Sequence, residues 1–143
     1  MIIRDLRAED RPQWNDLWRG YLEFYESDLA PEVSDVTFAR LLDPSEPMFC
    51  LVAEDGGALL GLVHCVLHRG TWSVENFCYL EDLFTAPAAR KRGVGRALIE
   101  AVYARADELN CSRVYWLTHE SNAAGRSLYD QVARNLGFIH YRR

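Results

Sequence analysis

Long apolar runs are missing from this sequence of 143 residues. No stretch approaches the roughly 18 or more apolar residues of a membrane-spanning helix, and the first residues, Met1 to Asp5, lack the pattern of a signal peptide. Cysteine is scarce: the four cysteines have no CxxC spacing and are too few for a disulfide framework. We therefore expect a cytoplasmic protein with reduced thiols, no membrane contact and no metal site.

Positive charge is also in the minority. The 16 Lys and Arg residues are outnumbered by 21 Asp and Glu residues, which gives a formal net charge of -5. This balance argues against nucleic acid as a partner and mildly favours a cationic one. No repeat, low-complexity tract or linker interrupts the sequence, so we expect one domain over residues 1–143.

The order of the apolar patterns predicts the element order β-α-α-β-β-β-α-β-α-β. The predicted strands cover residues 2–6, 49–54, 59–67, 73–85, 113–118 and 138–141, and the predicted helices cover about 9–25, 31–43, 93–109 and 122–136. Hairpins precede strand–helix–strand units, which predicts an α/β (α+β) fold: a mixed, mostly antiparallel twisted sheet with helices on both faces. The crossover through helix 93–109 predicts that strands 73–85 and 113–118 are neighbours and parallel.

A basic loop with two glycines joins a predicted strand to the helix that begins near residue 93. Gly93 and Gly95 let a phosphate approach the backbone, and the helix N-terminus adds unpaired amides. A P-loop sequence is absent, and Leu98 stands where a dinucleotide fingerprint needs its third glycine. The remaining pattern, Arg-x-x-Gly-x-Gly, predicts a phosphate-binding loop. The alternative is a basic surface loop before a glycine-rich helix start.

Two motifs together resemble the GNAT superfamily of N-acetyltransferases. Residues 90–95 match its Arg/Gln-x-x-Gly-x-Gly/Ala coenzyme A loop, and residues 122–129 with Gly137-Phe138 match its downstream Asn-…-Leu-Tyr-…-Gly-Phe motif. The resemblance covers essentially the whole chain and is closest in pattern to the yeast histone/polyamine and diamine acetyltransferase branches. It implies an acetyl-CoA-dependent N-acetyltransferase that modifies a primary amine of a polyamine, diamine or lysine type.

The resemblance also implies how coenzyme A binds. The backbone of residues 83–85 would pair with the pantetheine arm, and the amides of residues 90–96 would hold the pyrophosphate. The implied cofactor-binding residues are Leu83, Phe84, Thr85, Arg90, Lys91, Arg92, Gly93, Val94, Gly95, Arg96 and Asn122. Three features depart from the usual pattern: Gly125 replaces a frequent alanine, Tyr129 lies about one helical turn farther from Gly137, and the chain stops just after the closing strand. Because the short closing strand would leave a sheet edge open, we expect a homodimer.

Attack on a thioester requires a neutral amine, whereas an alkyl amine with a pKa near ~10.4 is mostly protonated at pH 7. Glu81 is the candidate base, acting directly or through a water, because a glutamate within an apolar strand is unusual. Tyr129, which matches the family's tyrosine, is the candidate acid for the departing thiolate. A backbone amide of Leu83 or Phe84 is expected to meet the carbonyl oxygen. The structural alternatives are a core aromatic for Tyr129 and a solvated acid pair at a strand edge for Glu81 and Asp82.

The acceptor site is predicted from charge and aromaticity near the end of the first helix. Tyr25, Glu26, Glu81 and Asp82 are the candidate substrate-binding residues, the tyrosine through a cation–π contact. On an ideal strand Glu81 and Asp82 point to opposite faces, although the family resemblance implies a bulge there. Two other functions remain open: an enzyme that uses a different phosphate-bearing cofactor, and a coenzyme-A-binding sensor of the same fold without turnover.

Overall fold

Five strands and four helices account for most of the regular structure in the computed structural model, which describes all residues 1–143. The strands are β1 (Ile2–Asp5), β2 (Met48–Asp55), β3 (Ala58–His68), β4 (Phe77–Thr85) and β5 (Arg113–Tyr115). The helices are α1 (Arg11–Phe24), α2 (Pro31–Leu42), α3 (Val94–Glu108) and α4 (Ala123–Val132), and two short 3-10 turns lie at Ala8–Asp10 and Pro87–Ala89. No helix combines the length and apolar character needed to cross a membrane.

The five strands form one sheet in the order β1-β2-β3-β4-β5. The first four pair antiparallel, and β4 pairs parallel with β5 through the α3 crossover. The predicted α/β (α+β) class and the predicted parallel pair are therefore confirmed. The parallel ladder is short, because it joins only residues 77–79 to residues 113–115.

Helices cover both faces of the sheet, as predicted from the sequence. Side chains of β2 alternate between two apolar clusters: Phe49 and Leu51 belong to the cluster that contains α3, whereas Cys50 and Val52 belong to the cluster that contains α1 and α2. This alternation follows from the two-residue period of a strand. Trp14 is fully buried in the α1 cluster. The sheet is thus held between two apolar layers, and the β4–β5 side remains open at its edge.

The C-terminal segment differs from the prediction. Residues 133–143 form no strand, and Phe138 and Ile139 are 89% and 75% exposed. A strand needs a neighbour for its ladder, and β5, the nearest edge strand along the chain, ends after three residues at Tyr115. The alternating apolar pattern of residues 138–141 therefore predicted a closing strand that is not formed. β5 also ends three residues earlier than predicted, and α4 ends at Val132 rather than near residue 136.

Candidate active site

A β-bulge in β4 centres on Glu81. His64 of β3 pairs with Asp82, and the next residue, Cys65, pairs with Leu80, so Glu81 has no partner on β3. The extra residue reverses the alternation of the strand. Leu80 packs in the α3 cluster, whereas Phe84, four residues later, packs in the α1 cluster. Glu81, at the bulge, is the one exposed residue of β4.

Strands β4 and β5 separate immediately before the bulge. Their last paired residues are Tyr79 and Tyr115, and no residue of β4 beyond Tyr79 pairs with β5. A small cavity lies where they diverge. It is lined by Tyr21, Tyr25, Leu80, Glu81, Leu83, Ile99, Trp116, Leu117 and Tyr129. The cavity is thus lined by residues from α1, β4, α3 and α4 and from the segment after β5.

Glu81 and Tyr129, the predicted base and acid, both line this cavity. Glu81 is exposed at its outer end, yet partial burial of its carboxyl group, and next the charge of Asp82, raise the pKa of Glu81 above its ordinary value. Burial also raises the pKa of Tyr129, and the nearby Tyr25 raises it further. Tyr129 contacts the edge of the Trp116 ring, with ring centroids 5.5 Å apart. A carboxylate with a raised pKa and a phenol that stays protonated are suited to accept and to donate a proton, respectively.

Asp82 is not among the residues that line this cavity, although Tyr21, which does line it, lies beside the Asp82 carboxylate. Its Oδ2 is 2.9 Å from Nδ1 of His64, and the side chain is buried. The prediction that adjacent acids point in different directions is met, but Asp82 does not line the cavity with Glu81. A direct substrate contact of Asp82 in this cavity is therefore not supported, since the bulge turns its carboxylate toward α1.

The end of α1 supplies a third predicted residue to the cavity. Tyr25 lines it, and its ring centroid lies 5.8 Å from that of His119 in the segment before α4. Burial, and then the charge of Asp82, raise the pKa of Tyr25, while a hydrogen bond with Thr118 lowers it. Glu26 follows with a positive φ of 52° and is exposed to solvent, outside the cavity lining. The helix end thus directs one aromatic ring inward and its neighbouring acid outward.

The basic loop has the backbone conformation that its glycines suggested. Gly93 precedes α3 with φ 78°, and Lys91 has φ 64°. A Cβ built on Gly95 would lie 3.1 Å from Leu128 Cδ2, so this glycine permits close packing of α3 against α4. The basic side chains take different partners: Arg90 lies over the Phe84 ring, Arg92 pairs with Asp55 at 3.2 Å, and Arg96 bonds to Gln131. The other predicted loop residues are Lys91 and Val94, of which Lys91 is exposed and Val94 is buried.

Asn122 caps α4 with its side chain. Its Oδ1 accepts from the backbone N–H of Gly125 at 3.1 Å, and its Nδ2 donates to Thr118 Oγ1 at 3.0 Å. A Cβ on Gly125 would collide with the Asn122 amide, which explains the glycine at this position. The structure thus gives Asn122 a role in fixing the start of the helix that carries Tyr129.

A larger cavity of about 550 Å³ lies between α1 and the basic loop. Its lining includes Phe84, Arg90, Asp16 and Glu23, but neither Glu81 nor Tyr129. Of these two cavities, the smaller one is lined by both candidate proton-transfer groups. No group of three or more His, Cys, Asp or Glu side chains is arranged to hold a metal ion.

Comparison with known proteins identifies the family of this chain. The model of the acetyltransferase (GNAT) family matches residues 11–138. The chain belongs to the GNAT family. Over its whole length it is 38% identical to the D-amino-acid N-acetyltransferase HPA3 of Saccharomyces cerevisiae, of which the match covers 90%. The chain is therefore an acyltransferase that uses acetyl-CoA.

Solved GNAT structures share the fold at low sequence identity. The ribosomal-protein-alanine N-acetyltransferase of Brucella melitensis biovar Abortus 2308 is 21% identical with a TM-score of 0.81, over 100% of this chain and 99% of that one. AAC(6')-Iy in complex with a coenzyme A bisubstrate analogue is 16% identical with a TM-score of 0.86, over 99% and 96% of the two chains. The predicted fold class and superfamily are confirmed.

The GNAT site of this chain fits coenzyme A on two observations. Beyond Tyr79 the β4 edge has no β5 partner, so the backbone of Leu83, Phe84 and Thr85 lies beside the opening between the strands. At the end of that strand the positive φ of Gly93 directs the loop into the start of α3, whose first amides have no partner within the helix. Bound acetyl-CoA supplies the acetyl group as a thioester. Leu83 to Thr85 and the loop residues 90–96 would hold it.

Sequence reasoning missed several residues of the GNAT site. Tyr21, Trp116 and Leu117 line the cavity, and His64 bonds to Asp82. Tyr21 precedes Tyr25 by four residues, a spacing that places both on one face of a helix. The sequence spacing alone could therefore have predicted that Tyr21 lies beside Tyr25 at the site. No sequence pattern points to His64, because its partner Asp82 lies 18 residues away on the neighbouring strand.

Proposed function

We propose that this acetyltransferase acts on a primary amine that Glu81 deprotonates, directly or through a water, while Tyr129 protonates the departing thiolate. The observation that carries the proposal is the placement of both side chains in one cavity, at the bulge where β4 leaves β5. Glu81 has a raised pKa, which makes it a stronger base than an ordinary glutamate. The amides of Leu83 or Phe84, on the same strand, are the proposed donors to the carbonyl oxygen.

The geometry favours a cationic amine such as a polyamine, a diamine or a lysine side chain. Glu81 is the one charged residue among those that line the cavity, and the others are aromatic or aliphatic. An ammonium group is attracted both by a carboxylate and by the faces of tyrosine rings, so Glu81 and Tyr25 suit it together. No lining residue carries a positive charge that would bind an acceptor's carboxylate.

A second acceptor class rests on the comparison rather than on the cavity. The yeast relative, 38% identical over the full length of this chain, is a D-amino-acid N-acetyltransferase. A D-amino acid offers a primary amine next to a carboxylate. Binding it would require a cation from outside the cavity lining, and Arg142 acts on Tyr79 electrostatically from the C-terminal segment.

An acceptor panel distinguishes these possibilities. The purified chain is assayed with acetyl-CoA and a diamine, a polyamine, a lysine peptide, an arylamine, and D- and L-forms of one amino acid. We expect the highest kcat/KM for the cationic amines. A strong preference for the D-amino acid would replace the cationic class with the second candidate. Coenzyme A binding without turnover of any acceptor would instead support a sensor of the same fold.

The proposal extends to assembly and location. We propose a homodimer, supported by the open edge of β5 and by the exposed apolar side chains of the C-terminal segment, among them Phe138 and Ile139. A cytoplasmic location is supported by the four cysteines, all of which are free thiols. We treat residues 1–143 as one catalytic domain, because both apolar clusters pack on the same sheet.

A further inference from the structure

Three buried side chains form a hydrogen-bonded chain behind the bulge, outside the cavity. Trp14 Nε1 lies 3.0 Å from His64 Nε2, and His64 Nδ1 lies 2.9 Å from Asp82 Oδ2. Trp14, His64 and Asp82 are 0%, 3% and 9% exposed. Burial of a carboxylate and an imidazole costs free energy unless their polar atoms are paired, as they are here. These three side chains take no part in the proposed proton transfers by Glu81 and Tyr129.

The partners fix where the proton on His64 resides. An indole N–H can only donate, so Nε2 of His64 accepts the bond from Trp14 and carries no hydrogen. The ring proton is therefore on Nδ1, which donates to the carboxylate of Asp82. A doubly protonated ring would direct an N–H of His64 against the N–H of Trp14. The indole thus favours the tautomer with its proton on Nδ1, and no lysine or arginine pairs with the carboxylate of Asp82.

Asp82 is adjacent to Glu81 on β4, and its negative charge acts on the Glu81 carboxyl group. The titratable groups within electrostatic reach of Asp82 are Cys50 from β2, His64 and Cys65 from β3, Tyr21 and Tyr25 from α1, and Tyr79 and Glu81 from its own strand. Burial, and next the charge of Asp82, raise the pKa of Glu81, whereas a positive charge on His64 would lower it. Tyr21, Tyr79 and Tyr115 also lie within the electrostatic reach of Glu81, and Tyr129 lines the same cavity. None of these groups is a lysine or an arginine.

We propose that Trp14, His64 and Asp82 form a positioning unit that acts through Glu81: the indole fixes the imidazole tautomer, the imidazole fixes the carboxylate, and that carboxylate, next to Glu81 at the bulge, acts on the base. This inference rests on the proposed role of Glu81. It assigns Asp82 a place behind the base rather than in contact with the substrate. Catalysis would then depend on the indole N–H of Trp14, which does not line the cavity.

The first test reads the tautomer and needs no activity. Nitrogen-15 NMR of the wild-type protein at neutral pH is expected to find His64 with a protonated Nδ1 and an unprotonated Nε2. Trp14→Phe keeps an aromatic ring but removes the donor, and the single-tautomer signature should be lost. The matched control is Trp18→Phe, from the same helix, whose indole donates to Ser34 Oγ at 3.1 Å rather than to His64. A wild-type proton on Nε2, or on both nitrogens, would overturn the proposal.

The second test measures the titration of the Glu81 carboxyl group. Asp82→Asn keeps the shape and removes the charge, so the carboxyl carbon-13 titration of Glu81 and the acid limb of kcat/KM should both move to lower pH. Trp14→Phe should move them in the same direction and should add nothing in the double variant, because it acts through Asp82. Trp18→Phe should leave both in place. An unchanged Glu81 titration in folded Asp82→Asn would refute the positioning unit. If instead the titration moves but Glu81→Gln retains full activity, the base role of Glu81 fails and the electrostatic link stands.

Discussion

The substitution Gly93→Val tests the basic loop through the backbone conformation of residue 93. The residue has φ 78° and ψ 14°, in the left-handed region, immediately before α3. A Cβ built there would meet no atom within 4 Å, so Gly93→Val causes no collision inside the protein. The variant is strained because a β-branched residue rarely adopts a positive φ. It either keeps the loop at a cost in stability or moves the amides at the start of α3.

The magnitude follows from that conformation. An L-residue in the left-handed region costs about 1–2 kcal/mol. If the loop keeps its shape, this cost lowers the melting temperature by roughly 3–8 °C for a domain of this size. If the loop relaxes, coenzyme A must restore the strained shape on binding, which weakens affinity by about 5–30-fold before the branched side chain obstructs a phosphate. With wild-type affinity on the micromolar scale of ordinary KM values, we expect this loss and the obstruction of the phosphate by the branched side chain together to bring binding below detection.

The assay combines thermal unfolding with calorimetric titration of coenzyme A. The matched control is Gly57→Val in the β2–β3 turn, where φ is 83° and a Cβ again meets no atom within 4 Å. That turn lies near the loop through the exposed pair of Asp55 and Arg92, a contact of small energetic value. Both variants should lose similar stability, but only Gly93→Val should lose coenzyme A. Unchanged affinity in folded Gly93→Val would refute the assignment of the loop.

Three further outcomes are expected. Tyr129→Phe should fold and bind acetyl-CoA while kcat falls by roughly 10²-fold or more, and an unaltered kcat and pH profile would return Tyr129 to a packing role. The kcat/KM for a polyamine should fall as salt rises, because exposed charges are screened over about 8–10 Å; a salt-independent value would argue against attraction by Glu81. Light scattering should report a dimer at tens of micromolar, and an active monomer would remove that proposal.

The backbone conformation of the basic loop was predictable from sequence because its constraints are local. Two glycines within three residues, after a strand and before an amphipathic helix, define both the turn and its donors, and Gly93 has the positive φ that glycine favours. The parallel pairing of β4 and β5 follows from the handedness of a crossover through α3. Neither inference needs a contact between distant residues.

The other features depend on non-local contacts. Glu81 and Asp82 are adjacent, yet one residue of register shift against His64 decides which enters the cavity and which is buried. No pattern within β4 encodes that partner. The residues 138–141 alternate as a strand does, but a strand also requires an edge to pair with, and β5 ends at Tyr115. Local pattern therefore predicted an element that the assembled sheet does not accommodate.

The pH dependence of kcat/KM in Glu81→Gln tests the central claim most directly. With one small diamine as acceptor, the wild type should lose activity at low pH along a limb set by the raised pKa of Glu81. Glu81→Gln should lower kcat/KM and move the optimum upward, since the reaction then depends on amine already neutral, whose pKa is near ~10.4. Glu75→Gln, which removes an exposed acid before β4, is the charge-matched control and should match the wild type. A Glu81→Gln enzyme with unchanged rate and unchanged pH profile would contradict the account.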